Sequence, residues 1–297
     1  MIRKAIFVVC ALLLVAGCRK TEKAYDATGT FEATETTVYA EQNGALLSLQ
    51  VTEGERYAAG QQVGLVDTAQ VWLKLQQLAS TKEVYASQRP DTQAQIAATR
   101  EQLAKARLEQ QRYSELVKDG AAPSKSLDDA NNQVRVLQKQ LEAQTSTLRQ
   151  STESLNKQIQ TTDVQMRQLY DQLKKCRVMV PTDGVVIEKY VEQGEYVAMG
   201  KALFKMADTD HMFLRAYVTS AQLQQVKVGQ EVEVFADYGS GQRQAYKGKV
   251  AWISSKSEFT PKTILTDDER ADLVYAVKIS VENDGFVKIG MYGEVKW

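Results

Sequence analysis

The chain has no net charge: its 37 lysines and arginines balance 37 aspartates and glutamates. Recognition of nucleic-acid phosphates needs a basic surface, so no nucleic-acid partner is expected. Histidine occurs once, at His211, and cysteine three times, at Cys10, Cys18 and Cys176. Without a second histidine or a cysteine pair there is no basis for a zinc site or a Cys/His nucleophilic centre. His211 is read as a residue at a domain joint. No glycine-rich phosphate loop is present, so any ATP hydrolysis belongs to a partner. Met199, Met206 and Met212 are soft-metal donors in principle, but their spacing across strands and turns fits core packing better. The charge run Asp267-Asp268-Glu269 reads as a solvated loop. These absences give a chain expected not to be an enzyme, with no catalytic residue, cofactor or metal.

A long apolar run is also missing. The apolar stretch from Ala5 to Ala16 is shorter than the ~20 residues a transmembrane helix needs, and it follows Arg3 and Lys4. It ends Val15-Ala16-Gly17-Cys18, small residues before a cysteine. This ending resembles a bacterial lipobox, so residues 1–17 read as a lipoprotein signal peptide, Cys18 as the lipidated first mature residue, and 18–28 as a tether; an ordinary secretory signal with an incidental cysteine is the alternative. A multiply acylated cysteine anchors stably because each buried methylene contributes about 0.8 kcal/mol. Cys10 leaves with the signal and lipid blocks Cys18. Cys176 then has no disulfide partner and reads as a small core residue on a helix.

Between Gly64 and Gly184 the single glycine is Gly120. Glycine turns chains and weakens helix interiors by about 1 kcal/mol relative to alanine. Two long antiparallel helices over 69–176, joined at a tip over 118–125, are expected. Leu127, Val134, Leu141, Leu148, Leu155, Thr162, Leu169 and Cys176 repeat every seven residues, a coiled-coil seam. Ala130 and Leu137, then Ile159, Met166 and Leu173, supply its second row. The outgoing arm is weaker: Ile96, Leu103 and Val117 hold one seam, interrupted by Gln110, and Ala106 and Tyr113 the other. Pro90 should break that arm and Asp91 favour its restart.

The sequence on either side of the helices repeats. Gly44, Gly54 and Gly60 have the same spacing as Gly184, Gly194 and Gly200. Glu53-Gly54-Glu55 matches Gln193-Gly194-Glu195, Val51 matches Val191, and Val63 matches Leu203. Two similar half-sandwiches, 29–68 with its preceding strand and 177–210, therefore flank the helices. Residues 211–297 alternate over Met212, Leu214, Ala216 and Val218. Short strands follow, with turns at Gly239-Ser-Gly241 and Asn283-Asp-Gly285. They read as a small β-barrel, and Thr219-x-x-Gln222 as a helix-capping box.

The order of signal, half-sandwich, helical hairpin, half-sandwich and barrel resembles the HlyD-type membrane-fusion proteins, the periplasmic adaptor subunits of bacterial exporters. Gly184-Val-Val186 and Gly194-Glu-Tyr-Val-Ala-Met-Gly200 resemble that family's second sandwich half, and Gly290-Met291 its barrel end. The resemblance implies an elongated, multi-domain α+β fold: a coiled-coil hairpin inserted in a lipoyl-like β-sandwich, plus the barrel. Glu258-Phe-Thr-Pro-Lys262, Glu269-Arg270 and Leu273-Val-Tyr-Ala-Val-Lys-Ile279 are similar to lipoprotein adaptors of ABC-type exporters. The stop at Trp297, without a further membrane-proximal domain, points the same way. A proton-driven resistance-nodulation-division pump is the alternative inner-membrane partner.

Adaptors that meet TolC-like outer-membrane channels carry an arginine, a leucine one turn later and a serine past the turn. Arg112, Leu116 and Ser124 fit, although Ala122-Pro123 makes the last spacing one residue longer. The resemblance also implies a homo-oligomer of six copies in the periplasm, held at the inner membrane by the anchor. Arg19 follows the cysteine, where some bacteria use aspartate to retain a lipoprotein in the inner membrane. A passive envelope coiled-coil lipoprotein and a biotin or lipoyl carrier subunit are the readings of another class. The carrier needs a modified lysine in the turn that the hairpin here replaces.

Overall fold

A computed structural model describes residues 25–239, 242–259 and 273–297. In chain order it contains β1 (Ala27–Tyr39), β2 (Gly44–Leu49), β3 (Arg56–Tyr57), β4 (Gln62–Val66), α1 (Ala69–Ser87), α2 (Thr92–Lys118) and α3 (Ser124–Lys175). There follow β5 (Arg177–Met179), β6 (Gly184–Lys189), β7 (Tyr196–Val197), β8 (Ala202–Thr219), α4 (Ser220–Leu223), β9 (Glu231–Asp237), β10 (Arg243–Phe259), β11 (Leu273–Glu282) and β12 (Tyr292–Lys296).

The glycine repeat has a direct structural meaning. Gly54 N–H donates to Val186 C=O, and its counterpart Gly194 N–H donates to Leu46 C=O, each at 2.8 Å. Gly60 donates to Val180 and Gly200 to Ala40, again at 2.8 Å each. All four glycines hold positive φ, between 77° and 93°, where a side chain would be strained. The side chains obey the same relation: Asp183 accepts from Ala59 N–H (2.8 Å) and Asn43 from Met199 N–H (2.6 Å). Strand pairing repeats it too, β3 with β6 and β2 with β7. Each half thus completes the other across a pseudo-two-fold axis. One core results, built from Val38, Leu46, Val66, Val178, Val186, Val197, Leu203 and Phe204 among others.

The second core belongs to a closed barrel. The strand order β1-β12-β9-β10-β11-β8 returns to β1 through an additional β1–β8 pairing, so no edge is left open within that ring. Phe31, Met212, Leu214, Ala216, Val234, Ile279 and Val295 fill it. The capping box at Thr219 and Gln222 is formed in α4, and Gln222 also donates to the Asp26 carbonyl (2.5 Å).

Two expectations need correction here. β1 is shared between the cores: Ala27 and Phe31 pack in the barrel, and Val38 packs in the sandwich. A boundary at residue 29 misses this because alternation along a strand does not reveal which sheet receives it. Likewise β8 runs unbroken across the boundary expected at 210/211. β1 and β8 pair from Thr28↔Tyr217 to Tyr39↔Ala202, forming one ribbon through both units.

The helices run antiparallel. α1 and α2 both pack on α3. Gln110 bonds Asn131 (2.7 Å), Thr99 bonds Gln144 (2.9 Å), and Lys82 pairs with Asp163 (2.7 Å). As one partner number falls the other rises in step, so the register holds across the break between α1 and α2. That break lies at Pro90, and the Asp91 side chain caps α2 by accepting from Ala94 N–H (3.1 Å). The polar pairs explain Gln110: it interrupts the apolar seam with a partner opposite, a device that specifies register. At 52 residues, α3 is roughly 78 Å long. Val134, Leu137, Ile159, Thr162 and Leu169 are buried along it.

Cys176 departs from its expected place. It caps α3 and is buried in the sandwich core beside Val66 and Val178, not in the helical seam. The seven-residue phase carries one step past the last helical turn, into the sheet. Burial there pushes the thiol pKa up, with the Asp67 carboxylate adding to the effect. Met206 and Met212 are core residues, but Met199 is 69% exposed, against expectation. Its position on a turn between Gly194 and Gly200 turns it away from the sheets.

Replacing Phe31 with alanine should cost about 3–5 kcal/mol in the barrel. Calorimetry should show the barrel transition moving to lower temperature. The helical transition, followed by circular dichroism, should stay in place.

Candidate functional site

The tip is built by a helix ending that the sequence makes obligatory. α2 ends at Lys118 with Asp119 as its cap. Ala121 N–H donates to Leu116 C=O (2.8 Å), and Gly120 N–H donates to Val117 C=O (3.1 Å). This pair of bonds is the Schellman arrangement, which needs a left-handed residue just past the cap. Gly120 supplies it at φ 72°. Pro123, extended at ψ 145°, then starts α3 and accepts at its carbonyl from Ser126 N–H (3.0 Å).

Arg112 and Leu116 lie four residues apart in α2, on one helix face. Arg112 is exposed and Leu116 half-buried. Arg112 makes no ion pair among the described residues. It therefore presents five N–H donors to solvent, beside an apolar knob one turn on. Ser124 is exposed and is the first residue of α3, across the turn. The structure thus places Arg112 and Leu116 together, with Ser124 at the start of the returning helix. Cys18 lies outside the described residues, as does the whole segment 260–272 with Asp267, Asp268 and Glu269.

Sequence reasoning missed a second cluster, at the junction of the two cores. Arg56 grips Asp210 through both terminal nitrogens, at 2.6 Å each. The pair holds the Asp210 carboxyl below its ordinary range and raises the guanidinium. Arg56 stands at the repeat position of Tyr196, which is 75% exposed. The one-dimensional signal was there: the repeat keeps backbone and glycines but exchanges a cation for an aromatic ring. Nothing linear linked Arg56 to Asp210.

Gly120→Ala should strain the tip by roughly 1 kcal/mol. Hydrogen exchange at the Ala121 amide should rise on the order of fivefold while mid-arm amides are unchanged.

Comparison with known proteins agrees with this architecture. Residues 34–209 match the family model described as "RND MFP, barrel-sandwich hybrid domain". The match begins and ends at the point where β1 and β8 pass from one core to the other. A membrane protein of Acidithiobacillus ferridurans, "UPF0194 membrane protein in asrC 5'region", is 26% identical over 306 residues, covering 93% of this chain and 90% of that protein. A "UPF0194 membrane protein" of Yersinia pseudotuberculosis is 37% identical over 120 residues, which take in 40% of this chain and 36% of that protein. Among solved structures, MacA from Actinobacillus actinomycetemcomitans has the same fold, with a TM-score of 0.56 at 22% identity, covering 91% of this chain and 76% of MacA. With more than half its length matched by the family model, this chain belongs to the HlyD-type membrane-fusion proteins, the adaptor family of efflux systems.

Proposed function

We propose that this chain is the periplasmic adaptor of a tripartite efflux or secretion system. It would bridge an inner-membrane transporter to a TolC-like outer-membrane channel. The observation that carries this reading is a sandwich of the adaptor family interrupted by paired helices whose far end exposes Arg112. In this reading 69–176 is a coiled-coil hairpin, 29–68 and 177–210 are the halves of a lipoyl-like domain, and 211–297 is the barrel domain.

Cys18 would be lipidated after removal of 1–17, with 18–28 as tether, holding the base at the inner membrane. Several copies, six by family resemblance, would pack their hairpins into a tube, because one hairpin cannot enclose a conduit. Arg112, Leu116 and Ser124 would dock on the channel: the guanidinium suits carbonyls at a helical channel mouth, and Leu116 suits its grooves. The work is mechanical coupling without catalysis. Transport energy would come from the partner.

An ABC-type transporter is the preferred partner, on the similarity of Leu273 to Ile279 and the sequence before it to adaptors of that class. A resistance-nodulation-division pump is the second reading, favoured by the description of the matching family model.

In-cell crosslinking tests both ends. A photoreactive residue at Lys118 should capture an outer-membrane channel, and one at Ala245 in the barrel an inner-membrane transporter. Arg112→Glu with Leu116→Ala should abolish the Lys118 adduct and export together, with helicity unchanged. A persistent adduct in that double variant would remove the docking assignment. Separately, Cys18→Ser should convert a membrane-retained protein into a soluble periplasmic one, read by fractionation.

A further inference from the structure

The ribbon that joins the two cores is interrupted at one point. Ala33 pairs with Met212 and the next residue, Thr34, pairs with Asp208. Thr209, Asp210 and His211 are therefore extra residues on β8 with no counterpart on β1: a three-residue bulge. It sits where the packing passes from Met206 in the sandwich core to Met212 in the barrel core.

The bulge is held from both sides. From the sandwich, Arg56 of β3 binds Asp210 at 2.6 Å through both terminal nitrogens. From the barrel, Asn283 N–H donates to the Asp210 carbonyl (2.9 Å) and the Asn283 side chain to the Thr209 carbonyl (2.8 Å). Within the bulge, Asp208 Oδ1 accepts from the N–H groups of Asp210 (3.0 Å) and His211 (3.2 Å). Asp208 Oδ2 lies 2.9 Å from His211 Nδ1.

The charge at this joint is unbalanced. Asp208 and Asp210 are on β8, Asp183 acts on Arg56 from the turn before β6, and Glu282 of β11 is the register partner of His211. Four carboxylates thus face one permanent cation, Arg56. Farther along a cleft that His211 helps to line, Glu231 and Glu233 of β9 are matched by Lys247 and Lys249 of β10 and Lys296 of β12. That outer set nearly neutralises itself. The remaining adjustable charge at the bulge is His211, which is 74% exposed and open to solvent protons.

We propose that the Thr209–His211 bulge is an acid-tightened joint. Protonation of His211 closes an ion pair on Asp208 and stiffens the ribbon between sandwich and barrel. When His211 is neutral, Asp208 and Asp210 repel across the bulge and the joint is looser. The sign is consistent: hydrogen bonding and charge from Asp208 raise the histidine above its ordinary 6.5. A raised folded-state value means the stabilisation is complete below that ordinary value and is lost as pH rises through the raised one. The inference stands on the joint alone and is independent of the partners proposed above.

Two measurements on the full chain test it. His211 is the only histidine, so ¹³C-histidine labelling gives a single imidazole titration. Its midpoint should lie above 6.5 and should fall towards it in Asp208→Asn, which keeps an oxygen for the two backbone donors. Spin-label amino acids at Ala198 and Ala245, both exposed, report the angle between the units. The distance distribution should narrow between pH 8.5 and pH 5.5 in the wild type. It should keep one width in His211→Asn. Arg56→Ala should broaden it at both pH values yet retain the narrowing. A midpoint at or below 6.5, a wild-type width that does not change with pH, or a pH response that survives in His211→Asn would each overturn the proposal.

Discussion

The structure depends on the reciprocal exchange of backbone hydrogen bonds between two half-sandwiches. Gly54 binds Val186 and Gly194 binds Leu46, and neither half has partners for these groups without the other. The acceptors belong to the buried residues Val186 and Leu46, and a buried carbonyl left unpaired is costly, so the halves must meet. The inserted helices must therefore bring their two ends back to one place. An antiparallel pair of matched length does that, and the pairings of Gln110 with Asn131, Thr99 with Gln144 and Lys82 with Asp163 show the match being kept. The arm is in this sense a consequence of the sandwich closing beneath it.

The same closure orients the arm. A sheet core anchored on both helix ends fixes the direction in which the helices leave it. The polar pairs favour one register, because a slipped seam would take the buried Thr99 hydroxyl away from Gln144. The turn at Gly120 then holds Arg112 and Leu116 at a set position near the reversal. Precision at the tip is inherited from hydrogen bonds at the base. Towards the barrel the coupling is of another kind: two strands shared between two cores, with one bulge on the longer of them. A joint of this form transmits position while leaving one place where angle can change.

Much of this was legible in the linear pattern. The seven-residue repeat from Leu127 to Leu169, the lone Gly120, the break at Pro90 and the glycine spacing around 44–60 and 184–200 each express a local rule. Helical period, left-handed turns and the missing proline N–H act over a few residues, and so they appear in the sequence. The alternation of Met212, Leu214, Ala216 and Val218 likewise marked a strand face. Less legible were features that depend on which element meets which. Cys176 continues the heptad phase but packs between sheets. Met199 shares its residue type with Met206 and Met212 but faces solvent. Arg56 and Asp210 are far apart in the chain and carry no mutual signal.

The family resemblance, the two helical stretches around Gly120 and the doubling of the sandwich are written in the linear chain, because periodicity and repeat are local properties. The folded chain adds that β1 and β8 serve two cores, that the barrel closes through their pairing, and that a three-residue bulge with the single histidine lies at the joint. The physical reason is that strand register and ion pairing are relations between distant segments. Their energies exist only once the chain has brought those segments together.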